Sequence, residues 1–110
     1  MATYRAPLED MLFVLRQLAG IDELAALPDF ADAGYDTARA VLEECAKFNE
    51  GVVAPLNRSG DLQPAILENG EVKTSPGFAE AFRGFVEGGW QGVQHPEQFG
   101  GQGLPKVVAT

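Results

Sequence analysis

Apolar residues recur at helical spacing through the front of the chain. Met11, Val14, Leu15 and Leu18 follow the i, i+3, i+4, i+7 pattern and predict a first helix over 7–19. Pro7 suits its first position, because the N–H that proline lacks has no intrahelical partner there. Glu9 and Asp10 place negative charge in the first turn, where the helix dipole favours it, and Gly20 is a natural stop. Leu12 and Phe13 widen the apolar surface beyond one stripe. "IDELAAL" predicts a short helix ended by Pro28, and "PDFADAG" a connector.

The pattern resumes in a helix expected over 37–54, with Asp36 as its N-cap. Ala38, Val41, Leu42, Cys45, Phe48 and Val52 form the face expected to be buried. Arg39, Glu43, Glu44, Lys47 and Glu50 form the wet one. Gly51 implies either fraying or close approach of another backbone, Pro55 a stop or kink, and "NRSGD" a turn. "ILENGEVKT" is strand-like, and Asn69-Gly70 suits a type I′ hairpin because both residues tolerate positive φ. "SPGFAEAFRGFVEGG" predicts the third substantial helix: Ser75 caps it, Pro76 opens it, and Gly88-Gly89 end it. Phe78, Phe82, Phe85 and Val86 are its apolar face, and Gly84 is a second small residue where packing is close. Trp90 begins a glycine-rich tail.

The expected fold class is therefore all-α: a partial helical bundle of three main helices plus one short helix, with a small β-hairpin and a Gly-rich C-terminal loop. A length of 110 residues fits a single domain over 1–110. Phe13, Leu12 and the aromatic tail are surplus to so small a bundle and imply further protein to pack against.

Composition narrows the partners. Eight basic against 16 acidic side chains give a net charge of -8, which argues against nucleic acid and against an anionic membrane surface. The longest apolar run, "MLFVL", is far short of a membrane span, and acidic residues precede it, unlike a signal peptide. A single cysteine allows no intrachain disulfide, and with one histidine the chain lacks the ligands of a zinc site. A reducing, cytoplasmic location is the expectation.

No self-contained catalytic set emerges. Cys45 lies on the apolar face of its helix and reads as a small buried hydrophobe. His95, before proline in a loop, lacks a partner in the pattern. Glu43-Glu44 and Glu9-Asp10 are adjacent on helices and do not face each other, so they read as solvated charge. "GGQG" is neither G-x-G-x-x-G nor G-x-x-x-x-G-K-[ST], and no strand feeds it. It reads as a tight turn delivering the chain into a next helix at Pro105.

"PEQFGGQGLP" nevertheless resembles the P-E-x-[YF]-G-G-x-G-L segment of acyl-CoA dehydrogenases, which precedes the fourth helix of their N-terminal α-helical domain. "AVLEECAKFNEGVVAPLNRSGD" is similar to the early helix and V-x-A-P-L-N-R-x-G-D segment of that family. "NGEVKTSPGFAEAFRGFVEGGW" is similar to the segment leading into its glycine loop. "YRAPLEDMLFVLRQL" resembles the N-terminal extension of the larger bacterial branch, which includes 3-(methylthio)propanoyl-CoA dehydrogenase-like enzymes. The resemblance implies a fragment of a flavin-dependent enzyme that desaturates an acyl-CoA between its α and β carbons. A glutamate takes the α proton and FAD the β hydride. Both belong to later domains, so the resemblance carries no catalytic, cofactor-binding or metal residue onto this chain. Phe99, Gly100, Gly101 and Gly103 match the glycine loop and are expected to place the helix that walls the acyl groove. The implied partners are the remaining domains, an acyl-CoA, an electron acceptor and other copies in a homo-oligomer. The alternatives are a stand-alone helical interaction module without activity and a small acidic regulator unrelated to flavoenzymes.

Overall fold

A computed structural model describes residues 3–110. Helix α1 (Leu8–Phe13) runs unbroken into a π turn (Val14–Leu18). Pro7 is its N-cap residue and not its first helical one, yet Glu9 and Asp10 occupy the first turn as expected. Gly20, at φ 63°, turns the chain into α2 (Ile21–Leu24), and a 3-10 turn follows at Pro28–Phe30. Helix α3 (Tyr35–Phe48) opens after Gly34, so Asp36 is not its cap. The Tyr35 N–H instead donates to Asp22 Oδ1 at 3.0 Å. A carboxylate in α2 thus satisfies an orphan amide of α3 and ties the two helices together.

The expected break at Pro55 does not occur. A π turn (Asn49–Val53) joins α3 to α4 (Ala54–Leu62), and "NRSGD" is helical. Proline sits in the first turn of α4, where its missing N–H costs least. Gly60, in the last turn of α4, has a packing reason: a Cβ there would lie 2.7 Å from the Phe78 ring. Gly51 shows neither fraying nor close approach, since a Cβ there meets nothing within 4 Å. Gly51→Ala is therefore expected to stabilise the chain by about 0.5–1 kcal/mol through helix propensity. An increased denaturation midpoint in urea checks this, and a lowered one contradicts it.

The hairpin pairs β1 (Ile66–Glu68) antiparallel with β2 (Glu71–Lys73). Asn69 and Gly70, at φ 54° and 78°, make the turn that their residue types predict. Helix α5 (Phe78–Glu87) starts after Gly77, two residues later than Ser75 and Pro76 suggest, and the Ser75 side chain makes no cap. Gly88 and Gly89 end it as expected. Short 3-10 turns (Trp90–Gly92 and Glu97–Phe99) lead to α6 (Lys106–Ala109).

The core gathers Leu15, Ile21, Ala38 and Val108, with Tyr35, Val41, Leu42, Leu104 and Val107 packed around them. Arg16 stacks its guanidinium 4.6 Å over the Tyr35 ring. Along α1 and the π turn after it the buried residues are Leu12 and Leu15, while Met11, Val14 and Leu18 of the expected stripe are exposed. Leu12 is thus core and not surplus. On the second face Phe48 rests against Gly84, whose added Cβ would stand 3.3 Å away, and tilts towards Trp90 at 6.5 Å. Val52 is exposed, and Cys45 is half-buried, not enclosed. The expected apolar face of α5 remains largely open: Phe78, Phe82 and Val86 are exposed.

The radius of gyration is 17.1 Å, against about 13 Å for a compact domain of this length. An elongated body with so much apolar surface buries a small core, in keeping with the apolar surplus that the sequence shows.

Candidate functional site

The glycine-rich loop is the most tightly specified part of the chain. After the Trp90–Gly92 turn, Val93 is buried and the backbone moves outward through His95 and Pro96. The Glu97–Phe99 turn and Gly100, at φ 86°, reverse it. The returning strand of loop then bonds to the outgoing one. The N–H groups of Gly101, Gln102, Gly103 and Leu104 donate to the carbonyls of Pro96, Gly92, His95 and Val93, at 2.9 to 3.1 Å. The two limbs lie so close at Gly101 that a Cβ would overlap the His95 carbonyl, with His95 Cβ itself only 2.8 Å away. Only hydrogen fits there. Gly103, at φ 63°, then aims the chain at the buried Pro105 and α6.

This arrangement decides the chemistry of "GGQG". A phosphate-binding loop needs backbone N–H groups free to point at the anion. Here the Gly100 N–H donates to the Glu97 carbonyl at 2.9 Å, and the next four amides are spent as described. The loop is a clasp. Of the four predicted residues, Gly100, Gly101 and Gly103 shape it, and Phe99 stands 80% exposed on its outer corner. What the clasp positions is visible: Leu104, Val107 and Val108 reach the core beside Leu15 and Ile21.

The other candidates do not assemble into a reacting centre. His95 is exposed and contributes its backbone carbonyl to the clasp. The Asn49 side-chain amide donates to the Cys45 carbonyl at 2.9 Å and approaches its Sγ at 3.2 Å. Glu43 pairs with Arg39 at 2.8 Å and Glu44 with Lys47, both on the solvated face of α3. Among the described residues no three His, Cys, Asp or Glu side chains cluster as a metal site would require. Among them, too, no helix is long and apolar enough to cross a membrane.

Among the described residues, three open grooves stand out. One of about 490 Å³ runs between α3, α5 and the Trp90–Gln94 segment, with Cys45, Phe85 and Trp90 in its walls. One of about 390 Å³ lies between α4 and α5 and is lined by Leu56, Phe78 and Phe82. The largest, about 880 Å³, lies where the N-terminal residues cross the start of α4. Its notable member, Glu50, reads in sequence as an ordinary wet-face residue. In the fold its carboxylate accepts the Ala6 N–H at 2.8 Å and the Arg5 guanidinium at 2.9 Å. The Ala6 hydrogen bond, and then Arg5, hold its pKa below the usual carboxylate range against the opposing effect of partial burial. No local signal could have revealed this, because the partners lie about 45 positions away.

No protein-family model matches the chain. Two curated relatives do. The chain is 42% identical, over 108 residues and 98% of its length, to 3-methylmercaptopropionyl-CoA dehydrogenase of Ruegeria pomeroyi. It is 32% identical, over 110 residues, to the broad-specificity linear acyl-CoA dehydrogenase FadE5 of Mycobacterium tuberculosis. The chain is similar to acyl-CoA dehydrogenases along 98% of its length. It spans 18% of the length of each of these relatives. The similarity is therefore not confined to "PEQFGGQGLP" but runs along nearly the whole chain. The fold agrees as well: a mostly helical body with one small hairpin. In acyl-CoA dehydrogenase terms, the segment is rich in loop and packing determinants and holds no assembled reacting groups among its described residues.

Proposed function

We propose that these 110 residues are the N-terminal helical domain of a flavin-dependent enzyme that desaturates an acyl-CoA thioester at its α and β carbons. The observation that carries this reading is the 42% identity to 3-methylmercaptopropionyl-CoA dehydrogenase along 98% of the chain. The domain's contribution is architectural. Phe99, Gly100, Gly101 and Gly103 set the direction of the helix beginning at Lys106, which helps wall the acyl groove in the complete protein. The exposed aromatic face of α5 is the side on which other domains pack.

The residues present do not fit a flavin. The loop amides that could meet its phosphates are bonded within the chain, two of the grooves are largely apolar, and the charged groups of the third are already engaged, Glu50 with Arg5 and Ala6 and Arg58 with Asp61. FAD, the catalytic glutamate and the electron-acceptor contacts are therefore assigned to the other domains, and no chemical step is routed through this one. The complete protein is proposed to work in the cytoplasm as a homo-oligomer.

The test compares the 110-residue chain with the complete protein. The complete protein is expected to purify with a visible flavin spectrum that bleaches on adding a saturated acyl-CoA, and to reduce an artificial electron acceptor. The 110-residue chain is expected to do neither. Flavin bound to the short chain, or a complete protein without acyl-CoA-dependent bleaching, defeats the reading. The exposed apolar surface would equally serve a stand-alone interaction module. A stop codon directly after Thr110 would favour that alternative, and several hundred further codons the enzyme.

A further inference from the structure

Residues 3–7 run beside the π turn and the start of α4 as a strap without regular secondary structure. None of their side chains is buried: Tyr4 is 47% exposed, the Arg5 side chain 79%, and Ala6 only half-covered. Apolar burial therefore does little to hold them. Glu50 supplies the grip, with one carboxylate oxygen on the Ala6 N–H and the other on Arg5. Among the described residues these are the side-chain hydrogen bonds that span the greatest stretch of sequence, 44 and 45 positions.

The two bonds differ in weight. An exposed ion pair contributes little, whereas a carboxylate on a backbone amide is a charge-assisted hydrogen bond to a fixed partner. The π turn matters because it inserts an extra residue into the helix, which rotates α4 by about 100° relative to a continuation of α3. Glu50 lies inside that turn, and its carboxylate reaches the strap. The other charged groups in this groove, Arg58 and Asp61 of α4, are engaged with each other at 2.8 Å.

We propose that residues 3–7 and Glu50 form a latch: the π turn presents the carboxylate that pins the strap, and releasing it frees the strap and removes one wall of the groove beside α4 while the helices stay folded. Thr3 and Tyr4 are one wall of that groove, with Asn57 and Arg58 on the other. A strap held by one polar anchor and no buried side chain belongs among the parts of a fold that open locally.

Amide exchange in the full chain tests the latch. In Glu50→Ala, protection of the Ala6 amide is expected to fall at least tenfold, and trypsin to cut after Arg5 correspondingly faster. The amides of Leu15, Ala38 and Val108 are expected to keep their protection. Unchanged protection at Ala6, or parallel loss at the three core positions, overturns the proposal. A titration of the unchanged protein gives a second measurement should that variant fail to fold. A carboxyl whose folded pKa is depressed adds stability above its unfolded pKa of about 4.3 and loses it as pH falls through the lower folded value. Ala6 protection should therefore drop in that acidic window before the core does. In Glu50→Gln, whose amide oxygen can still accept from Ala6, the drop should vanish. Core amides lost at the same pH as Ala6, or a drop that persists in Glu50→Gln, likewise overturn it.

Discussion

Gly101→Val is expected to be among the most damaging single substitutions in this chain. Any Cβ at this position overlaps the His95 carbonyl, which is backbone and cannot rotate away. Relief requires the two limbs of the loop to separate. That strains the hydrogen bonds from Gly101 to Pro96 and from Gly103 to His95, and it displaces Pro105 and α6 from the core. Overpacking of this kind costs about 3 kcal/mol, more when backbone must move. Gly101→Ala should cost nearly as much, because it carries the same offending atom. Gly100→Ala makes an informative contrast. A Cβ there meets nothing within 4 Å, and the cost is the left-handed backbone alone, about 1–2 kcal/mol. Urea unfolding of the three variants and the flavin-loaded yield of the complete protein carrying each provide the measurement. Equal stability of Gly101→Ala and the parent would show that the clasp is not what positions α6.

Ile21→Ala is expected to be of similar size for a different reason. Ile21 is fully enclosed, with an exposure of 0%, at the point where the π turn after α1 meets α3 and α6. Truncating a buried isoleucine costs about 2–5 kcal/mol, rising with the cavity that remains. Its neighbours here are helices held from several sides, so the gap cannot close cheaply, and the upper half of that range applies. A thermal midpoint lower by several degrees, together with faster amide exchange at Ala38 and Val108, is the expected result. A loss of less than 1 kcal/mol would mean that the core relaxes around the gap.

The features legible in the sequence are those decided by neighbours in the chain. Asn69-Gly70 specifies its turn because two adjacent residues accept positive φ, and α5 stops where Gly89 takes φ 72° just after the Gly88 cap. The fold class follows from the helical periods, and the glycine loop from its motif. What escaped is non-local. Asp36 has the chemistry of a cap, but Asp22 reaches the amide first from another helix. Pro55 has the chemistry of a stop, but a π turn before it leaves the proline in a first turn, where it is harmless. Met11, Val14 and Leu18 have the right period, yet period alone does not say which side of a helix has neighbours, and Leu12 took the buried place. Glu50 is the extreme case, since nothing near it in sequence marks its role.

The placement of Val108 against Leu15 and Ile21 also bears on how this domain is made. The contact joins residues more than 85 positions apart, so the core cannot close until the chain has been synthesised past α6. Until then α1 and α2 wait on the nascent polypeptide with their buried faces covered only from the α3 side. Contacts of such long sequence separation form late and slow folding. Exposed helices that must wait for a distant partner are where chaperones bind and where misassembly begins. For this chain the vulnerable interval on the ribosome ends with the clasp: when Gly101 seats against His95, the last wall of the core is delivered.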